Sequence, residues 1–177
     1  MTGRPPGRER ALFIGRFQPF HRGHLHALGR IRAEEPAAPI LLGIGSAQES
    51  YTWENPFTAG ERFEMIAEAL AEAEIADVSL IPIPDIRRHD LWVRHVESLL
   101  PPFAWVYTDN PLTAELFGAA GYPVRSVGLL DRSTWVGQGI REALRQGAPV
   151  DGRVPPSVAR WLREHHAADR LKVISRP

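Results

Sequence analysis

The chain has 177 residues, 21 basic and 21 acidic side chains, 44% apolar residues and no cysteine. That composition fits one globular domain and excludes a disordered chain, a disulfide framework, thiolate metal sites and a cysteine nucleophile. No apolar run approaches the roughly 20 residues of a membrane span, no N-terminal segment reads as a signal peptide, and zero net charge argues against a nucleic-acid binder. The expectation is a cytoplasmic protein without nucleic-acid or membrane partners.

The zero conceals three blocks. Residues 1–32 carry seven Arg and one Glu, residues 47–77 carry eight acids against Arg62 alone, and residues 138–177 return to a balance of +4. Such runs are ordinarily solvated faces, and the acidic helix over 61–77 is expected to be one. Two basic regions far apart in sequence also suit an anionic ligand held between them.

Residues 1–9 are rich in Gly, Pro and Arg and read as a flexible tail. Ala11–Ile14 is a short apolar run ending at Gly15, the pattern of a buried strand. His21 to about Glu35 has near-helical apolar spacing and stops before Pro36. Ile40–Ile44 is a second buried strand. Thr58 and Glu61 form a capping box, so a helix is predicted through about Ala73 with Phe63, Ile66 and Leu70 inward. Val78–Ile83, Ala104–Tyr107 and Val124–Val127 complete five strands. Helices are predicted over 90–100, 111–120, 137–145 and 155–165. The alternation predicts a Rossmann-like, doubly wound α/β sheet of about five parallel strands with helices on both faces. The α/β domain should span 10–148, with a C-terminal helix and tail over 149–177 packed on it. In such sheets ligands bind beyond the carboxyl ends of the strands, where strand order reverses.

The segment after the first strand reads Gly15-Arg-Phe-Gln-Pro-Phe-His-Arg-Gly-His24. His21 and His24 are three residues apart, on one face of the first helical turn, where free N–H groups and the helix dipole favour an anion. Gly23 leaves room for close approach, and Gly15 permits a sharp turn. The same pair could bind a metal, but only His26 is a nearby third nitrogen.

The string resembles the HxGH signature of the nucleotidylyltransferase superfamily, and more narrowly the archaeal-type nicotinamide-mononucleotide adenylyltransferases. Gly43-Ile-Gly-Ser-Ala-Gln48, Asn55-Pro-Phe-Thr-Ala-Gly-Glu-Arg62, Ile81-Pro-Ile-Pro-Asp-Ile86, Leu91-Trp-Val93, Val106-Tyr107 and Asn110-Pro111 fit the same family. The resemblance runs from about residue 11 to about 165. It implies transfer of the adenylyl group of ATP to nicotinamide mononucleotide, with nicotinate mononucleotide as a possible further substrate, giving the dinucleotide and pyrophosphate.

It further implies that Arg16, His21, His24 and Arg141 are catalytic. Gly15, Phe17, Gln18 and Gly23 would lie at ATP from the first loop, and Arg132, Gly137, Gln138 and Ile140 from the late helix. Trp92 matches a family tryptophan that stacks on the pyridine ring. Asp85, Ile86 and His89 would approach that ring, and Ser46, Tyr51, Trp53 and Asn110 would complete the mononucleotide site. Asn110 could equally be a helix N-cap. Mg2+ would be held by ATP phosphates rather than by protein side chains. The resemblance also implies a homo-oligomer.

One element departs from the family. Relatives carry Tyr-Ser-Gly-Thr-Glu-Ile-Arg at the late helix, where this chain has Trp135-Val-Gly-Gln-Gly-Ile-Arg141. Val136 and Gln138 replace both hydroxyls. The departure keeps two other readings open: an HxGH transferase with another phosphorylated acceptor, or an adenine-nucleotide-binding module with weak or no turnover.

Overall fold

The structure, a computed structural model, describes residues 9–128 and 136–175. The expected tail lies outside the described residues apart from Glu9. Strands β1 (Ala11–Gly15), β2 (Ile40–Ile44), β3 (Val78–Pro82), β4 (Trp105–Tyr107) and β5 (Val124–Arg125) form one sheet in the order β3-β2-β1-β4-β5. Every pairing is parallel. Helices α1 (Arg22–Glu34), α2 (Ala59–Glu72), α3 (His89–Leu99) and α4 (Pro111–Ala119) connect the strands, and α5 (Gly137–Arg145), α6 (Pro156–Glu164) and α7 (Ala167–Ile174) follow. This is the doubly wound α/β architecture the alternation predicts.

The two-residue period of the strands divides the core into two layers. Ala11, Phe13, Ile40 and Leu42 pack against Leu28 and Ile31 of α1 and Met65 and Ile66 of α2. Leu12 and Leu41 face the other side, against Val93 and Val96 of α3 and Phe117 of α4. From β1 the chain winds outward to β2 and β3, then returns to β4 and β5 on the opposite flank. Strand order therefore reverses between β1 and β4, and their carboxyl ends open a crevice there.

Thr58 caps α2 as expected: its hydroxyl accepts the Glu61 N–H at 3.1 Å, and the Glu61 carboxylate accepts the Thr58 N–H at 2.9 Å. Two readings of this helix need correction. Phe63 is 43% exposed, because the inward stripe is Arg62, Met65, Ile66, Ala69 and Leu70, and Phe63 sits one residue off it. The acidic face does not point to solvent throughout. It meets the C-terminal helices: Glu68 pairs with Arg160 at 2.9 Å, and Glu61 accepts two hydrogen bonds of 2.7 Å from Arg170. Glu72 accepts both the N–H and the hydroxyl of Ser157, and Glu64 accepts the Trp161 indole N–H. The acidic block thus neutralises part of the basic C-terminal block and ties α6 and α7 to α2. Helix α7 is additional to the predicted elements; His166, at φ +51°, turns the chain out of α6 and into it.

Among the described residues no helix is long and apolar enough to cross a membrane.

Candidate active site

β1 ends in a tight reversal. A Cβ on Gly15 would lie 2.8 Å from the Phe17 ring, and Phe17 takes φ +53°, so its ring folds back beneath the strand end. The Gln18–Pro19 peptide is cis. The Gln18 side chain is buried and clasps the Phe57 backbone, donating from Nε2 to the carbonyl at 2.9 Å and accepting the N–H at Oε1 at 3.0 Å. Phe17 and Gln18, expected at the nucleotide, therefore turn their side chains inward and support the loop. Arg16 is left exposed at its tip.

His21 is the N-cap of α1 and is 5% exposed. Its backbone N–H donates to Nδ1 of His24 at 3.2 Å, so the imidazole returns to the cap as a capping-box carboxylate would. The two rings stack with centroids 3.5 Å apart, and His24 also packs on Phe17 at 4.8 Å and Phe20 at 5.4 Å. An N–H can only donate, so Nδ1 of neutral His24 is an acceptor and its proton lies on Nε2. Burial pushes His21 down to about 4 and, with the neighbouring His21 charge, holds His24 well below the ordinary histidine value. Both imidazoles are neutral at pH 7. Nδ1 of His21 is buried without a partner among the described residues.

The late helix α5 brings Arg141 to this loop. Its Nη1 donates to the Gln18 carbonyl at 2.8 Å, and its guanidinium lies 5.7 Å from the centre of the Trp53 ring. A Cβ on Gly137 would meet both Arg141 Nη1 and the Gln18 carbonyl at 3.2 Å, so a larger residue would push the helix start off the loop. Arg141 is 6% exposed and its Nε has no partner among the described residues. Burial, and then repulsion from Arg16, push it below the ordinary guanidinium value against the pull of Glu54. Val136 occupies the N-cap without a side-chain hydrogen bond. Gln138 is exposed, Gly23 is buried in α1, and Ile140 is a core residue. Arg132 and Trp135 lie outside the described residues.

A cleft of about 320 Å3 opens at the reversal of strand order. It is lined by Gly15 and Arg16 after β1, Ser46 after β2, Asp85, His89 and Trp92 around the start of α3, and Asn110 and Leu112 around the start of α4. Gln48 fixes the far wall by bonding both backbone groups of Asp85, at 2.9 and 3.0 Å. Trp92 meets Phe117 edge-on at 5.5 Å, so it serves packing as well as the cleft. Asn110 also serves twice, since its Oδ1 caps α4 through the Thr113 N–H at 3.0 Å. Tyr51, Trp53 and Ile86 do not line this cleft. Tyr51 lies under Arg170, 4.7 Å from ring centre to guanidinium, and Trp53 lies beside Arg141.

Sequence reasoning missed Arg62. An arginine inside a helix ordinarily reads as surface, yet this one is fully buried beneath the loops after β1 and β2. Two hints were its place at the end of the family string that begins at Asn55 and its offset from Met65, Ile66 and Ala69, which puts it on the inward stripe.

Residues 12–142 match the cytidylyltransferase-like family. Over 166 residues the chain is 48% identical to the nicotinamide-nucleotide adenylyltransferase of Picrophilus torridus, covering 94% of this chain and 97% of that one. The protein of the same name from Archaeoglobus fulgidus is 43% identical over 171 residues, with the same coverage. A bifunctional NMN adenylyltransferase/ADP ribose pyrophosphatase from Francisella tularensis shares the fold, with a TM-score of 0.77 and 20% identity over 95% of this chain; the chain spans 52% of that longer protein. The same bifunctional protein complexed with AMP and a manganese ion gives a TM-score of 0.73. The chain belongs to the cytidylyltransferase-like family, and within it to the archaeal-type nicotinamide-nucleotide adenylyltransferases.

Proposed function

We propose that the protein transfers the adenylyl group of ATP to nicotinamide mononucleotide, giving NAD and pyrophosphate. The observation that carries this is the double position of Arg16. It lines the cleft, and its charge acts on the buried Arg141, so one guanidinium links the cleft to the arginine at the start of α5. The cleft suits a flat pyridine ring carried on a ribose phosphate, with Trp92, His89 and Asp85 near the ring and Ser46 and Asn110 toward the sugar and phosphate. Trp53 belongs to the triphosphate side of this reading, through Arg141, whereas Tyr51 lies under Arg170, whose charge is taken up by Glu61.

A phosphate oxygen of the mononucleotide attacks the α-phosphorus of ATP. As that P–O bond forms, the bond from the α-phosphorus to the bridging oxygen breaks, and its electron pair leaves with pyrophosphate. The nucleophile is already an anion at neutral pH, so no general base is required, and catalysis reduces to alignment and charge stabilisation. The Nε2–H of His24 donates to the phosphoryl oxygens on which charge grows. Arg16 and Arg141 supply fixed charge, the buried Arg141 from the start of α5. The first N–H groups of that helix meet no competing side-chain cap, so they remain available to phosphate.

Among the described residues no group of three or more His, Asp or Glu is placed to hold a metal ion. In this reading a Mg2+ ion carried by the ATP phosphates would neutralise charge on the leaving pyrophosphate. The same proposal includes a homo-oligomer, which sedimentation velocity tests directly.

The deciding experiment supplies purified protein with ATP, Mg2+ and nicotinamide mononucleotide and measures pyrophosphate and NAD. Formation of both supports the proposal. Tight ATP binding with no pyrophosphate from any mononucleotide would leave a silent nucleotide-binding module instead.

A further inference from the structure

The Arg62 guanidinium is 0% exposed and makes no ion pair among the described residues. It is spent on backbone carbonyls. Nη1 donates to the Arg16 carbonyl at 2.8 Å and to the Gly45 carbonyl at 2.7 Å, Nη2 donates to the Ser46 carbonyl at 3.2 Å, and Nε donates to the Thr58 carbonyl at 3.2 Å. These carbonyls belong to the loop after β1, the loop after β2 and the cap of α2. Gly45 is further joined to the first loop, since its N–H donates to the Gly15 carbonyl at 2.8 Å.

Each of those loops carries one half of the site. Arg16 faces the triphosphate, whereas Ser46, held at φ +47°, faces the cleft. A planar fork with five donors in fixed directions can hold several carbonyls at once. From this geometry we infer that Arg62 is a positioning residue, which sets the distance and angle between the adenylyl-binding and mononucleotide-binding halves of the site. The inference rests on the function proposed above. It deepens that reading by giving the alignment step a residue that touches neither substrate. Burial and the nearby Arg16 charge push Arg62 down to about 10, against the pull of Glu61, so it stays charged at pH 7 and adds a sheltered positive charge behind the phosphate loop.

Two variants separate geometry from charge. Arg62→Lys keeps the charge but replaces the fork by a compact ammonium with three donors, and Arg62→Met removes both. Each is assayed for kcat, for KM of either substrate, and for binding of ATP alone and of nicotinamide mononucleotide alone by calorimetry, well below its unfolding temperature. The expected result for Arg62→Lys is a fall in kcat of about 100-fold, the scale of a small misplacement of reacting groups, with each substrate bound alone within about threefold of wild type. A purely structural role would lower the unfolding temperature and leave kcat of the folded protein intact. A purely electrostatic role would leave Arg62→Lys near wild type and raise the KM for ATP in Arg62→Met alone. Either outcome overturns the inference, as does failure of both variants to fold. An inactive wild type would count against the proposed function, whereas an active wild type with an unaffected Arg62→Lys counts against this inference alone.

Discussion

Nδ1 of His24 accepts the backbone N–H of His21 at 3.2 Å while the two imidazoles stack face to face. One contact therefore caps a helix and fixes a tautomer, with the proton on the opposite nitrogen. Because the proton of neutral His24 must lie on Nε2, an amide side chain of matching reach should substitute partly. His24→Gln can place an amide near the Nε2 position, whereas His24→Asn can reproduce only the nearer one. Steady-state assays should show His24→Ala losing about 100-fold or more in kcat, with Gln retaining more activity than Asn. Equal loss in both amides would contradict the assigned tautomer.

Acid should unfold the protein through the same pair. Both histidines titrate lower in the folded chain than the ordinary 6.5, His21 at about 4. The unfolded chain therefore binds protons that the folded chain refuses. Their contribution to stability is complete above pH 6.5 and is lost as pH falls toward 4, on the order of 3 kcal/mol for His21. Glu61 acts in the same direction at lower pH. Burial raises it, but the hydrogen bonds from Arg170 and the Thr58 N–H, with the Arg170 charge, leave it lowered overall. Urea midpoints should stay level from pH 8 to about 6.5 and then fall toward pH 4, and the His21→Phe variant should show a flatter slope below 6.5.

The missing hydroxyls at the start of α5 should be restorable. A hydrogen bond from a neutral donor to a charged phosphate is worth about 1.5–3 kcal/mol. Val136→Ser with Gln138→Thr should therefore improve kcat/KM for ATP by roughly tenfold to a hundredfold. No gain in a folded double variant would mean that the helix N–H groups and Arg141 already saturate the phosphate.

The Glu61–Arg170 pair should matter to stability rather than turnover. Both side chains are more than four-fifths buried and share two 2.7 Å hydrogen bonds. Arg170 also donates to the Pro56 carbonyl and stacks over Tyr51. Arg170→Met should cost about 1.5–3 kcal/mol in urea unfolding, the scale of hydrogen bonds to a charged group, with kcat changed less than about threefold. A large fall in kcat would place α7 within the site.

The cleft gives a direct kinetic test. Trp92→Phe should raise the KM for the mononucleotide about tenfold while leaving that for ATP unchanged. Equal changes in both constants would assign Trp92 to packing against Phe117.

Where local chemistry decides the structure, the sequence already shows it. β1 ends at Gly15, Thr58 and Glu61 cap α2, and Ser46, Asp85, His89, Trp92 and Asn110 do meet at one cleft. What escaped reading depends on a second layer. Arg62 resembles any helical arginine until the carbonyls above it are known, and the acids of α2 resemble a solvated face until α6 and α7 are laid against them. Tyr51 and Trp53 follow Ser46 closely in sequence, but the chain turns at Tyr51, φ +56°, and the two rings lie beside Arg170 and Arg141. Phe17 and Gln18 sit inside a motif, and the motif does not say which of its members touch a ligand.

β1 lies at the centre of the sheet, bonded to β2 along its whole length and to β4 over its first three residues. Its amides should thus exchange with solvent only on global unfolding, whereas those of the two-residue edge strand β5 should exchange through local opening. The loop bearing Arg16, His21 and His24 grows directly out of the slowest-exchanging segment. Thermal fluctuation should therefore broaden the far wall of the cleft, around α3 and α4, before it disturbs the histidines, so adaptation to different pyridine acceptors would fall to that wall while the adenylyl-handling side stays fixed.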